Sequence, residues 1–195
     1  MNVPVLVLVL ADFTAIAVLP RVFFKRGTFN GGWWLTALPF FCCPLFLLAA
    51  TLSGWRSWAG SGAAVTTLNS IAALLAAGSV ALLFLTLGTH RVPLALWHQE
   101  NDAPASIVTH GAYAWIRHPF YASFLLAFMA ACALFPHLGT VLPLCYAAAR
   151  LNATAAREER RLAASEFGDA YREYVTRTGR FLPARPASGH RAELT

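Results

Sequence analysis

Two short stretches hold most of the residues whose types and spacing suit chemistry. One is Arg117-His118-Pro119 with Tyr121 two residues on; the other is Glu158-Glu159, set among Arg157, Arg160 and Arg161. Proline suits the first position of a helix, so Pro119 marks a helix start. A helix N-terminus carries amides without partners and a partial positive charge, which suits a carboxylate or another acceptor held beside Arg117, His118 and Tyr121. The same residues also suit an interfacial anchor, with Arg117 reaching towards headgroups and Tyr121 in an aromatic belt. The glutamate pair reads by default as a solvated, salt-bridged helix face. Near a bilayer it reads equally as a pair of carboxylates able to grip a ribose, an amine or a cationic sulfonium.

Other chemical signals are weaker. His90, His98, His110 and His118 fall in one segment, but neither an H-E-x-x-H pattern nor a histidine pair four apart accompanies them, so no metal is expected. His90 and His98 read as solvated loop residues. Cys42, Cys43, Cys132 and Cys145 all lie inside apolar runs and read as packing residues.

These groups need elements to position them, and the composition says which solvent those elements face. Of 195 residues, 57% are hydrophobic and 12% charged, too few polar side chains to cover a water-soluble domain of this size. Apolar runs cover Val3 to Phe24, Trp33 to Ser53, Gly62 to Gly88, Pro119 to Phe135 and Leu138 to Leu151, the last two forming a tight hairpin around Pro136 and His137. They predict an all-α integral membrane protein with about five membrane-spanning helices. The two-residue alternation of a spanning barrel is missing. The first run is read as a retained span, because Arg21, Lys25 and Arg26 follow it, whereas a signal peptide carries its charges before the apolar run.

Those three basic residues against a lone Arg56 in the next loop place the N-terminus outside. The segment from Thr89 to His118 and the arginine-rich C-terminal part then both fall on the cytosolic side, in a membrane expected to be the inner or plasma membrane of a prokaryote. Nine of the fifteen basic residues and six of the nine acidic ones lie from Arg150 onward, so the charged chemistry concentrates there. A helix is expected from Arg150 to Phe167, with no break until Gly168. Tyr171 and Tyr174 follow on one helical face, and Gly179 and Pro183 end regular structure. Three regions result: helices over 1–88, a catalytic and cofactor-binding region over 89–183, and a flexible tail over 184–195.

The stretch Ile107-Val108-Thr109-His110-Gly111-Ala112-Tyr113-Ala114-Trp115-Ile116-Arg117-His118-Pro119-Phe120-Tyr121 resembles the signature of the isoprenylcysteine carboxyl methyltransferases and related phospholipid methyltransferases. Downstream, Glu158-Glu159-Arg160-Arg161-Leu162, Phe167-Gly168-Asp169-Ala170-Tyr171 with Tyr174, and Arg180-Phe181-Leu182-Pro183 resemble the same family's C-terminal pattern. The resemblance implies a cytosolic pocket for S-adenosylmethionine, formed by the loop before helix 4 and the extension after helix 5. By position it implies cofactor contacts at His118, Tyr121 and Glu159, with Gly111 and Tyr113 lining the approach. Ala112, His110 and Ser123 depart from the family's common residues, and neither Arg150 nor Arg157 matches cleanly the arginine that holds the substrate carboxylate in some members.

Methyl transfer from a sulfonium is a displacement that depends on holding two reactants in line. A carboxylate acceptor needs only an orienting arginine, Arg157 or Arg117. An amine acceptor must first lose a proton, to Glu158 or His118. The expected activity is methyl transfer to a lipid-borne carboxylate of isoprenylcysteine type, with phospholipid amine methylation as the alternative. A reductase gripping the 2′-phosphate of NADPH with Arg157, Arg160 and Arg161, and a non-enzymatic scaffold, are the other readings. The expected partners are the bilayer and a membrane lipid or lipidated substrate, with no nucleic acid.

Overall fold

A computed structural model describes residues 1–18, 24–25, 28–29, 31–60, 62–89 and 107–184. The expected helical fold is what the chain adopts. Helix α1 spans Val3–Val18, α2 Gly31–Leu52, α3 Ala63–Thr89, α4 Pro119–Leu134, α5 Leu138–Ala163 and α6 Gly168–Arg177, with a single 3-10 turn at Gly111–Ala114. His90, His98, Arg21, Arg26 and the tail from Arg185 onward lie outside the described residues.

Two expectations are corrected. The first apolar run was expected to stay helical to Phe24, but its described helix covers Val3–Val18, and Phe24–Lys25 (β1) pairs antiparallel with Thr28–Phe29 (β2). Aromatic residues such as Phe24 and Phe29 suit a strand. The helix expected without interruption to Phe167 ends at Ala163. Ser165 stops it: its hydroxyl donates to the Leu162 carbonyl at 2.8 Å and accepts from the Phe167 amide at 3.3 Å, offering the backbone an alternative to the helical ladder.

Helix α3 lies along α4, α1 packs on both, and α2 packs mainly on α5. Aromatic rings fill the centre: Phe128 meets Phe13 at 5.1 Å and Phe40 at 4.9 Å, both edge to face. Helices α2 and α3, with 22 and 27 residues, are long and apolar enough to cross a membrane; at 1.5 Å per residue they measure roughly 33 and 40 Å. Helices α1 and α4 are apolar and shorter, 16 residues each. Leu35, Leu38, Phe41, Leu45, Leu74 and Phe84 point outward, making the kind of apolar surface that lipid covers.

At the end of the bundle away from Glu159, the α2–α3 loop docks on the α4–α5 turn. The Trp58 amide donates to the Pro136 carbonyl at 3.0 Å, and the His137 ring stacks on Phe46 and Trp58 at 5.1 and 5.7 Å. His137 also caps α5, its Nδ1 accepting from the Gly139 amide at 3.1 Å.

A carboxyl group lies within the apolar interior. Asp12 of α1 is fully buried, and the Ser79 hydroxyl of α3 lies 3.0 Å from its Oδ1 and 2.8 Å from the Ser123 carbonyl of α4. One hydroxyl therefore ties three helices together. Ser79→Ala is expected to leave that carboxyl without its partner and to lower stability by about 1–3 kcal/mol. The measurement is the thermal unfolding midpoint in detergent, and an unchanged midpoint would show that the three-helix tie carries no stability.

Candidate active site

The segment leading into α4 is shaped by backbone constraints. Gly111 opens the 3-10 turn at φ +60°, and the Thr89 side chain occupies the place where a Cβ would stand, so only glycine fits. Beyond the turn, the chain is stitched to a segment some sixty residues later. The Arg117 amide donates to the Gly179 carbonyl at 2.8 Å, the His118 amide to the Arg180 carbonyl at 3.0 Å, and the Gly179 amide to the Trp115 carbonyl at 3.1 Å. Gly179 is required here too, since a side chain would meet the Leu182 carbonyl. A further tie comes from α6, where the Tyr174 hydroxyl donates to the Tyr113 carbonyl at 2.6 Å.

This stitching delivers Arg117 and Arg180 to one carboxylate on α5. Arg117 Nε and Arg180 Nε each donate to Glu159 Oε1 at 3.0 Å, and a second Arg180 nitrogen reaches Oε2 at 2.5 Å. Arg117 is further committed to the Thr178 and Val175 carbonyls. Arg180 also donates to Asn152 Oδ1 at 2.8 Å, which ties the return segment back along α5.

Glu158 turns towards α4 instead. Its Oε1 accepts from the Tyr121 hydroxyl at 2.8 Å, and its Oε2 lies 3.4 Å from His118 Nδ1. The other imidazole nitrogen, Nε2, lies 3.4 Å from Glu159 Oε1 but is buried without a hydrogen-bond partner. The His118 and Tyr121 rings are parallel, their centroids 5.4 Å apart.

Five of the residues singled out from sequence, Arg117, His118, Tyr121, Glu158 and Glu159, are thus brought into one cluster. Gly111 and Tyr113 shape the approach segment through their backbone. Arg157 stands exposed on α5, donating to Thr154 Oγ1 at 2.9 Å, and Arg150 reaches Thr36 of α2 at 3.3 Å. Sequence reasoning missed Arg180 as a member of the cluster and Thr178 as an anchor. Arg180 was visible only as one letter of the closing pattern, and Thr178 carried no signal.

The cluster sets protonation. Burial alone would raise the Glu159 carboxyl, but its contacts with His118, Arg180 and Arg117 outweigh that and hold it well below the usual carboxylate range. Burial alone would lower the His118 imidazole, but its contacts with Glu158 and Glu159 outweigh that and raise it above 6.5.

Residues 89–164 match the model of the isoprenylcysteine carboxyl methyltransferase (ICMT) family, so the resemblance read from sequence holds over the segment that carries His118, Tyr121, Glu158 and Glu159. The cobalt-zinc-cadmium resistance protein CzcN of Cupriavidus metallidurans is 30% identical over 138 residues, which cover 71% of this chain and 59% of that protein. The match therefore spans less than two thirds of that relative's length. No solved structure matches the chain.

The two shifts predict a pH dependence. Because the Glu159 carboxyl is lowered, its stabilisation is complete above the ordinary 4.5 and is lost only in strong acid. Because His118 is raised, its stabilisation is complete below 6.5 and is lost as pH rises through its higher value. Thermal unfolding followed from about pH 5 to about pH 9 should show wild type losing stability on the alkaline side and His118→Gln losing that slope. Equal slopes would place the pH dependence elsewhere.

Proposed function

We propose that this chain, with its ICMT-family segment, is an integral membrane methyltransferase that uses S-adenosylmethionine to methylate a lipid-borne acceptor, a carboxylate of isoprenylcysteine type. In this reading α1 to α4 and the first half of α5 are about five spans, the N-terminus is outside, and the charged half of α5 with α6 lies in the cytosol. The charge bias of the loops and the outward apolar side chains support it.

The observation that carries the reading is the cluster at the start of α4. It lies in the matched segment, joins His118 and Tyr121 to both glutamates, and holds the unpartnered Nε2 of His118. An adenosyl ligand has ribose hydroxyls, an amino-acid end and, before transfer, a cationic sulfonium. His118, the α4 N-terminus and the Glu158 carboxylate fit those groups. When bound, S-adenosylmethionine would supply an electrophilic methyl group needing no covalent enzyme intermediate.

The protein's own residues divide the remaining work. His118 and Tyr121 hold the ligand from α4. Glu159, gripped by Arg117 and Arg180, keeps the approach segment in place. Arg157, exposed beside Glu158, is the guanidinium able to orient an acceptor carboxylate, because Arg117 is already committed. Orientation suffices for a carboxylate acceptor, since it is a nucleophile at neutral pH. An amine acceptor is the second reading, and the Glu158–His118 contact supports it, because it provides a group to take the proton.

Isothermal titration of the detergent-purified chain tests the reading. S-adenosylmethionine and S-adenosylhomocysteine should bind, and His118→Ala should weaken both about tenfold or more, as for loss of a charge-assisted hydrogen bond. NADPH binding without adenosyl binding would favour the reductase, and binding of neither, in nanodiscs as well, the scaffold. With radiolabelled donor and membrane lipid, a base-labile product is the expected methyl ester, whereas a base-stable one would assign the amine.

A further inference from the structure

Tyr171 lies on α6, beyond the segment that the family model matches, and no role above rests on it. It is 97% enclosed by protein (3% exposed), yet its hydroxyl has no hydrogen-bond partner among the described residues. A phenol buried in that way costs stability unless something completes it. Its neighbour on the same helical face provides the contrast: the Tyr174 ring is 6.1 Å away, and its hydroxyl is satisfied by the Tyr113 carbonyl at 2.6 Å.

The surroundings indicate what would complete it. Tyr171 is close enough to Glu159, Arg117 and Arg180 to feel their charges. Glu159 Oε1 accepts from both guanidinia and Oε2 from Arg180, and among the described residues the phenol makes no hydrogen bond to either oxygen. An O–H within the field of two cations, with nothing to donate to among the described residues, suits an acceptor oxygen brought in by a ligand.

We propose that Tyr171 is a ligand-binding residue whose hydroxyl donates to an acceptor oxygen, carboxylate or ribose hydroxyl, of the adenosyl ligand. This rests on the reading of the cluster as an adenosyl pocket. α6 then does more than brace the approach segment through Tyr174. It also supplies a hydroxyl to the ligand, which accepts the hydrogen bond that no described residue accepts.

The test uses Tyr171→Phe, which removes only the hydroxyl, beside Tyr174→Phe, in the full-length protein. A hydroxyl that serves only the ligand gives an unusual pair of results. Tyr171→Phe should bind S-adenosylhomocysteine roughly threefold to tenfold more weakly while unfolding at the same temperature as wild type or higher. Tyr174→Phe, which loses a satisfied bond, should unfold at a lower temperature. Wild-type affinity in Tyr171→Phe would overturn the proposal, and so would a loss of affinity accompanied by a lower unfolding temperature, which would mark a structural role. If wild type itself fails to bind S-adenosylhomocysteine, the adenosyl reading fails and this proposal with it; if only Tyr171→Phe behaves like wild type, this proposal falls alone.

Discussion

The described part of the site depends on one carboxylate. Glu159 sits on α5 and accepts from guanidinium groups delivered by two segments, Arg117 before α4 and Arg180 after α6. Such a carboxylate, mostly buried, costs desolvation unless matched charges and several hydrogen bonds compensate for it. Here it has both, and the result is a fastening point that no single helix could provide. With Glu159 gone, the two arginines would face one another without a counter-charge and the backbone pairing of residues 115–118 with 179–180 would lose its side-chain support.

That dependence explains the placement of the glycines around the cluster. The chain must turn sharply before Arg117, where Gly111 tolerates a positive φ and leaves room for Thr89, and must pass close under Leu182 at Gly179. The aromatic core of Phe13, Phe40 and Phe128, the Asp12–Ser79–Ser123 tie and the His137 stack act lower in the bundle and hold α4 steady against α1, α2 and α3. The cluster's geometry is thus set from two directions, by packing beneath α4 and by ion pairing above it.

Much of this could be read from the residues. The extents of α2, α3 and α4 follow from unbroken apolar runs bounded by glycine, tryptophan and proline, each a local signal. The candidate cluster was legible because Arg117-His118-Pro119 and Glu158-Glu159 are short, polar and set against apolar surroundings. What could not be read was long-range. Nothing in the sequence around Thr178, Gly179 and Arg180 announces pairing with residues sixty positions earlier, because a single parallel bridge has no periodicity. The stop at Ser165 is likewise a contest between a side chain and the helical ladder, and composition alone favoured the ladder.

Adjacent glutamates on one helix would ordinarily be redundant, but about 100° separates neighbouring side chains around the axis, and here the two turn to different partners. Glu159 faces two permanent cations and is neutralised by them. Glu158 meets a phenol and an imidazole, and of these only the imidazole can carry a positive charge. When His118 is neutral, the negative charge of Glu158 has no fixed cation in contact with it among the described residues, which is the condition for attracting a positively charged ligand group to the start of α4. When His118 is protonated, that charge is answered internally. The imidazole contacts both carboxylates through its two nitrogens, so the proton it gains moves the cluster of Arg117, Arg180, Glu158 and Glu159 from balanced charge to a net positive one and answers the charge of Glu158.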